Sequence, residues 1–232
     1  MRSRGAAGPG AVFAGSVRLP GSVSPVTDVT RSELAQDPLR VARCLLGSEL
    51  WSTFPEGEVG VRLVEVEAYR GGDDPASHCY RGRTARNSVM FGPAGHLYVY
   101  FVYGMHFCIN VVCSQDGAPG AVLLRAGEVL SGSVLARSRR PAVRKDTALA
   151  SGPARLAGAL GITREHNGTD LVAADSPLRL FRGAEVDDEE VRSGPRVGVS
   201  TATELPWRSW VHGSPAVSSY RRGGRRRVRD GV

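Results

Sequence analysis

Two carboxylates, Glu65 and Glu67, stand two residues apart in VRLVEVEAYRG, at the end of a run that alternates apolar and polar residues. Val59, Val61 and Leu63 share one parity, which Glu65, Glu67 and Tyr69 continue, opposite Arg62, Val64 and Val66. A carboxylate that continues an apolar face is partly desolvated, which raises its basicity and suits it to take a proton from water. The plainer reading is a strand-end carboxylate that reaches solvent or an arginine. Alternation alone does not choose between the two; Glu67, nearer the strand end, is the first candidate.

Other groups with chemistry in them lie close by in sequence. Arg125 closes the apolar run AVLL, and Asn110 interrupts FCINVV; each needs a partner if buried. Arg125 could pair with a carboxylate or hold a phosphate, and Asn110 suits a structural role as well as a substrate contact. His78 has no companion at metal spacing and reads as a hydrogen-bonded loop histidine. Tyr98, Tyr100 and Tyr103, with the outlying Tyr69, form an aromatic set of a kind common in sheet packing. Tyr103 differs, because beside Gly104 at a hairpin tip it has little core to fill and could wedge into a base stack. Arg81, Arg83 and Arg86 are candidate phosphate contacts, or simply a solvated charge run.

Absences narrow the chemistry. The sequence has no P-loop, no G-x-G-x-x-G opening a helix, no G-x-S-x-G, no H-E-x-x-H and no deaminase H-x-E…P-C-x-x-C. Cys44, Cys79, Cys108 and Cys113 show no zinc spacing, so neither a metal nor a cofactor is expected. Lys145 is the sole lysine. An amine nucleophile has only that side chain or the N-terminus to draw on, which favours water as the attacker.

The elements that must position these groups follow from the rest of the chain. With 232 residues and 41% hydrophobic content, the sequence can bury a core without staples. Thirty Lys plus Arg against 23 Asp plus Glu give a net charge of +7, which points to an anionic partner, nucleic acid before a membrane surface. An arginine-rich coding bias would produce the same skew. No run reaches the roughly 18 apolar residues of a spanning helix and none reads as a secretory leader. A reduced, cytoplasmic protein is the expectation.

Residues 1–27, rich in Gly, Ala, Ser and Pro, read as a flexible arm, and the charge run 221–232 as a basic tail; one domain is expected over 28–220. Residues 31–36 suit a short helix, and Asp37-Pro38 opens a second that buries Leu39, Ala42, Leu45 and Leu46 and ends at Gly47. Strands are expected at 48–54, 58–69, 120–129 and 195–200, and a short one at the end of TDLVAADSPLRLF. A hairpin is expected over 95–113, turning at Tyr103-Gly104. Residues 71–88 read as a loop, 131–140 as a short helix, and Ser151 as the cap of a helix that Gly161 ends.

Taken together, VEVEAYRG, DDPASH, MFGPAGHLYVYFVYGMHFCINVV, AVLLRA and SGPARL resemble the alkyladenine (3-methyladenine) DNA glycosylase family over roughly residues 30–218. The resemblance implies an α+β fold, a single mixed domain around a curved, mostly antiparallel sheet with a protruding hairpin and flanking helices. It implies a monofunctional enzyme, acting as a monomer without an obligate protein partner, that flips a damaged purine out of double-stranded DNA and hydrolyses the N-glycosidic bond. By motif position, Glu67 would activate the water, Arg125 would help hold it, and Val197 would offer it a backbone carbonyl. Tyr69 and Tyr100 would sandwich the base, His78 would close the pocket, Asn110 would screen purines by their exocyclic group, and Tyr103 would fill the gap in the duplex. The sequence departs from the family outline at His106, Ser209 and Ala216, where tyrosine, an aromatic and a larger side chain are also expected. Two other classes fit the residues alone: a catalytically silent reader of DNA or structured RNA, and a hydrolase of free nucleosides.

Overall fold

The computed structural model describes residues 27–102 and 104–223. The elements run β1 (Thr27–Asp28), α1 (Arg31–Leu34), α2 (Pro38–Leu45), β2 (Glu49–Phe54), β3 (Gly57–Tyr69), β4 (Leu97–Val102), β5 (His106–Cys113), β6 (Gly120–Ser131), α3 (Ser133–Arg139), α4 (Pro153–Leu160), β7 (Leu178–Arg182), β8 (Val191–Gly194) and β9 (Arg208–Val211). This is a mixed α+β fold, an antiparallel sheet with flanking helices. The main path is β1-β7-β2-β3-β6-β5-β4, and β9 pairs with both β3 and β8. Backbone bonds from Leu97 N–H to the Thr169 carbonyl, Leu171 N–H to Gly95 and Leu180 N–H to Leu171 lead from the β4 edge round to β7. The sheet curves until its far edges share one connecting segment.

The apolar runs that drive this are β-branched and aliphatic. Val61, Leu63, Val66, Ile109, Val111, Val122 and Leu124 are all fully buried, in one cluster with Val41 and Leu45 of α2 and Leu156 and Leu160 of α4. Each such side chain contributes about 1.5–3 kcal/mol by leaving water. The Asp37 carboxylate accepts the Leu39 N–H, with Pro38 at the first helical position, so α2 starts where its cap dictates. The buried stripe of α2 is Pro38, Val41, Ala42 and Leu45, and Leu39 instead stays 38% exposed. Pro at the first position puts Val41, one turn on, toward the sheet. At α4 the capping position is Gly152, one residue after the expected Ser151.

The decisive feature is a pair of opposed β-bulges in the central pair β3–β6. Leu63 faces Gly127, Glu65 faces Ala126, and Val66 faces Leu124. Val64 is therefore extra on one strand and Arg125 extra on the other. A bulge swaps the faces of the residues beyond it. Val59, Val61 and Leu63 point into the main core, but beyond the bulge it is Val66 and Ala68 that do so. Glu65, Glu67 and Tyr69 thereby leave the core face, contrary to the expectation that they continue it. At the same point the outer edge of β3 changes partner, from β2 for residues 57–62 to β9 for residues 65–67.

Residues 195–200 are not a strand; the strand is Val191–Gly194, just before them. Their polar groups go elsewhere: the Val197 N–H bonds the Glu67 side chain, Arg196 is drawn into a buried ion pair, and Gly198 takes φ +75°.

Candidate active site

A cavity of about 480 Å³ lies on the sheet face opposite the main core, within the size range of ligand pockets. Tyr69, Arg125 and Val197 form one wall, Tyr98, Tyr100 and Asn110 another, and His78 with Ala76 and Pro75 comes from the loop after β3. Val102, the last residue of β4, also borders it, so the β4–β5 hairpin springs from its rim. The hairpin turns through Gly104 at φ +71° and an exposed Met105. Tyr103 lies outside the described residues.

Glu67 is fully buried, one layer behind the wall. Its Oε1 accepts the Val197 N–H at 2.6 Å and lies 3.3 Å from Arg125 Nη1, while its Oε2 accepts the Tyr69 hydroxyl at 2.9 Å. Burial raises the Glu67 pKa; Arg125, the Val197 N–H and the Tyr69 hydroxyl pull against it, and burial prevails. Burial also opposes the charge on Arg125, but Glu67 and Glu65 outweigh it and raise its pKa further.

The geometry separates the two carboxylates that alternation could not. Glu65 accepts Arg125 Nε at 3.0 Å, Arg208 Nη1 at 3.0 Å, the Ser218 N–H at 2.7 Å and the Ser218 hydroxyl at 3.0 Å. It is saturated by donors of the scaffold and serves as the fixed countercharge behind Arg125. Glu67, by contrast, is bonded only to groups that themselves line the cavity. A carboxylate oxygen offers two lone pairs, so Oε2, engaged by Tyr69 alone, keeps one.

The aromatic groups converge. Tyr98 and Tyr100 stack at 5.7 Å with 27° between planes, and His78 meets the Tyr100 ring edge-on at 4.6 Å. His78 Nδ1 lies 3.1 Å from the Tyr98 hydroxyl. Burial and the nearby Arg86 charge lower the His78 pKa, which favours the neutral imidazole. Burial, aided by Glu67 at Tyr69 and by Cys108 at Tyr100, holds both phenols well above their ordinary pKa. Asn110 is buried, with Nδ2 donating to the Tyr98 carbonyl at 3.1 Å. Arg81, Arg83 and Arg86 are exposed on the loop that follows His78, and the Arg83 guanidinium lies 6.0 Å from the Phe91 ring. Among the described residues no cluster of His, Cys, Asp and Glu is suited to a metal, and burial pushes the Cys108 thiol beside Tyr100 up to about 11.

Val197 borders the cavity, and its N–H bonds Glu67, a contact additional to the carbonyl that the resemblance would have it offer the water. Sequence reasoning missed Asp74 and Arg196, a salt bridge with both side chains 0% exposed. The signal was present, since Asp74 lies in DDPASH and Arg196 immediately precedes Val197. It also missed β9 and the Arg208–Glu65 pair, because RSWV carries no alternation that marks a strand.

A family model for methylpurine-DNA glycosylase (MPG) matches residues 32–215. The chain belongs to that family. Relatives provisionally named 3-methyladenine DNA glycosylase support this. One from Streptomyces avermitilis is 53% identical over 197 residues, covering 84% of this chain and 92% of its own. One from Nocardia farcinica is 54% identical over 200 residues, with the same coverage, and one from Rhodococcus jostii is 54% identical over 201, covering 84% and 87%. As a member of the methylpurine-DNA glycosylase family the protein is a DNA-binding hydrolase of base-excision repair. Of the positions where the sequence departs from the family outline, Ala216 is fully buried against Val64 and Ala126 at the bulge, where there is little room for a larger side chain.

Proposed function

We propose that the chain excises alkylated or otherwise damaged purines from duplex DNA by flipping the nucleotide into the cavity and hydrolysing its N-glycosidic bond with water. The observation that carries this is that Glu67, a buried carboxylate, has Tyr69, Arg125 and Val197 as its ligands, all of them wall groups of one aromatic-lined cavity of about 480 Å³. The water oxygen bonds C1′ as the C1′–N bond breaks, with the electron pair leaving on the purine. The water proton passes to Glu67, whose burial raises its pKa and so makes it a stronger proton acceptor. Arg125, 3.3 Å from Glu67, opposes the effect of burial and favours the ionised carboxylate.

Flipping costs a few kcal/mol, least for a damaged or mispaired base. Tyr69 and Tyr100, on different walls, would take the two faces of the base, with His78 closing the slot and Asn110 crowding an exocyclic amino group. Tyr103, at the end of the hairpin that leaves the cavity rim, would fill the gap in the stack. Arg81, Arg83 and Arg86 would contact phosphates beside the pocket. An alkylated purine cation leaves readily; a neutral lesion such as hypoxanthine needs its leaving group protonated. The exposed Lys145 does not border the cavity, which supports a water nucleophile and excision without a lyase step.

The test is a set of duplexes carrying 3-methyladenine, 7-methylguanine, hypoxanthine or ethenoadenine, with the free nucleosides alongside. Base release from duplex but not from nucleoside is expected, leaving an intact abasic strand. Turnover of free nucleosides, strand cleavage by the protein alone, or binding without release would each refute the reading.

A further inference from the structure

We propose that Asp74 and Arg196 are positioning residues for excision: the buried pair holds Tyr69 at the cavity wall and keeps the Val197 N–H on Glu67. The inference rests on the reading of Glu67 as the base. Arg196 Nη1 and Nη2 reach the two Asp74 oxygens at 2.5 and 2.8 Å, and Nη1 also donates to the Ala68 carbonyl at 3.0 Å. Ala68 lies between Glu67 and Tyr69 in the strand, and Arg196 directly precedes Val197. The guanidinium lies 4.6 Å from the Tyr69 ring centroid and 5.0 Å from that of Trp207, so it backs Tyr69 from the side away from the cavity. Asp74 in turn accepts the Ala76 N–H at 3.0 Å, fixing the loop that carries His78.

One ion pair therefore joins three wall segments: the end of β3, the loop through His78 and the loop through Val197. A fold staple alone does not account for this choice, since a buried pair is often replaceable by apolar side chains at no loss of stability. The planar fork is what the position uses, with two bonds to Asp74, one to Ala68 and two aromatic rings within about 5 Å of the guanidinium carbon. A lysine keeps the charge and loses the rest. Loosening the pair would let the Val197 N–H drift from Glu67, and that N–H is one of the groups holding the Glu67 pKa down.

The test compares the full chain with Asp74→Asn and Arg196→Lys on a methylated duplex, under single-turnover conditions with saturating enzyme, from acidic to neutral pH. Thermal melts establish that each variant is folded. A folded variant should lose about 10- to 100-fold in excision rate, as expected when reacting groups are misplaced by an ångström or less. Its acidic limb should move to higher pH. Arg196→Lys, which keeps a cation beside Asp74, carries the test if Asp74→Asn does not fold. A purely structural role lowers the amount of active protein and leaves the limb in place, and a folded variant with that behaviour overturns the proposal. Glu67→Gln is assayed in parallel: if it releases base at the parental rate, the reading beneath falls. If it is inactive while the Arg196→Lys limb is unmoved, only the positioning role falls.

Discussion

Glu65→Ala isolates the assignment of Glu65 as a countercharge. The carboxylate is 0% exposed and accepts from Arg125, Arg208 and both donors of Ser218; the two arginines have side chains only 6% and 7% exposed. Removing it leaves Arg208 without a carboxylate, beside the rings of Trp210 and Tyr220, and leaves Arg125 with Glu67 and the Ser218 hydroxyl. Breaking a buried ion pair from one side costs about 3–5 kcal/mol, out of a total stability of about 5–15 kcal/mol. At about 2–4 °C per kcal/mol for a chain of this size, the melting temperature should fall by roughly 6–20 °C. Excision should fall as well, because Arg125, freed from Glu65, is drawn onto Glu67 and weakens it as a base. Thermal denaturation followed by circular dichroism reads the first effect and single-turnover excision the second. Glu56→Ala is the control: Glu56 is exposed and 3.8 Å from Arg139, so its loss should stay within about 0.5 kcal/mol. If Glu65→Ala melts with the control, the countercharge assignment is wrong.

Three further outcomes are expected. The folded-state pKa of Glu67 lies above its ordinary 4.5, so between those values the folded chain binds more protons than the unfolded one, and the parent gains stability as pH falls. The stability of Glu67→Gln relative to parent should therefore be greatest near neutrality and shrink on acidification; a flat or widening difference in urea midpoints contradicts it. Gly71 is buried at φ +75°, with the Pro119 carbonyl where a side chain would begin. Gly71→Ala should lose roughly 1–3 kcal/mol from conformation alone, and an unchanged urea midpoint refutes that. Arg86→Ala should weaken binding of damaged and undamaged duplex alike and lower the salt slope of log Kd by about one. An unchanged slope removes Arg86 from the phosphate contacts.

Much of this was legible in the chain. The Asp37-Pro38 start of α2, the glycine stops at Gly47 and Gly161, the β4–β5 hairpin and the long central strands follow from local rules, and the structure has them. Glu67, Tyr69, Tyr100, Asn110 and Arg125 stand out in the sequence by residue type and by resemblance, and in the structure Tyr69, Tyr100, Asn110 and Arg125 line one cavity with Glu67 bonded behind it. The errors have a common origin in non-local pairing. Period-two reading carries one face along a strand, and only the partner strand reveals that Val64 and Arg125 are bulged and that the face switches before Glu65. The run 195–200 has strand-like composition, yet Val197 spends its N–H on a carboxylate 130 residues away in sequence. Choosing Glu67 over Glu65 likewise needed the donors around each, which come from β6, β9 and the Ser218 segment.

Single-turnover release of a methylated purine from duplex by Glu67→Gln, with binding of the same duplex measured in parallel, tests the central claim most directly. The amide keeps the side-chain shape but cannot take the proton, so binding should persist while release falls by at least the 10²-fold or so attributed to a general base. Release at the parental rate by a variant that binds as the parent does would show that the proton goes elsewhere.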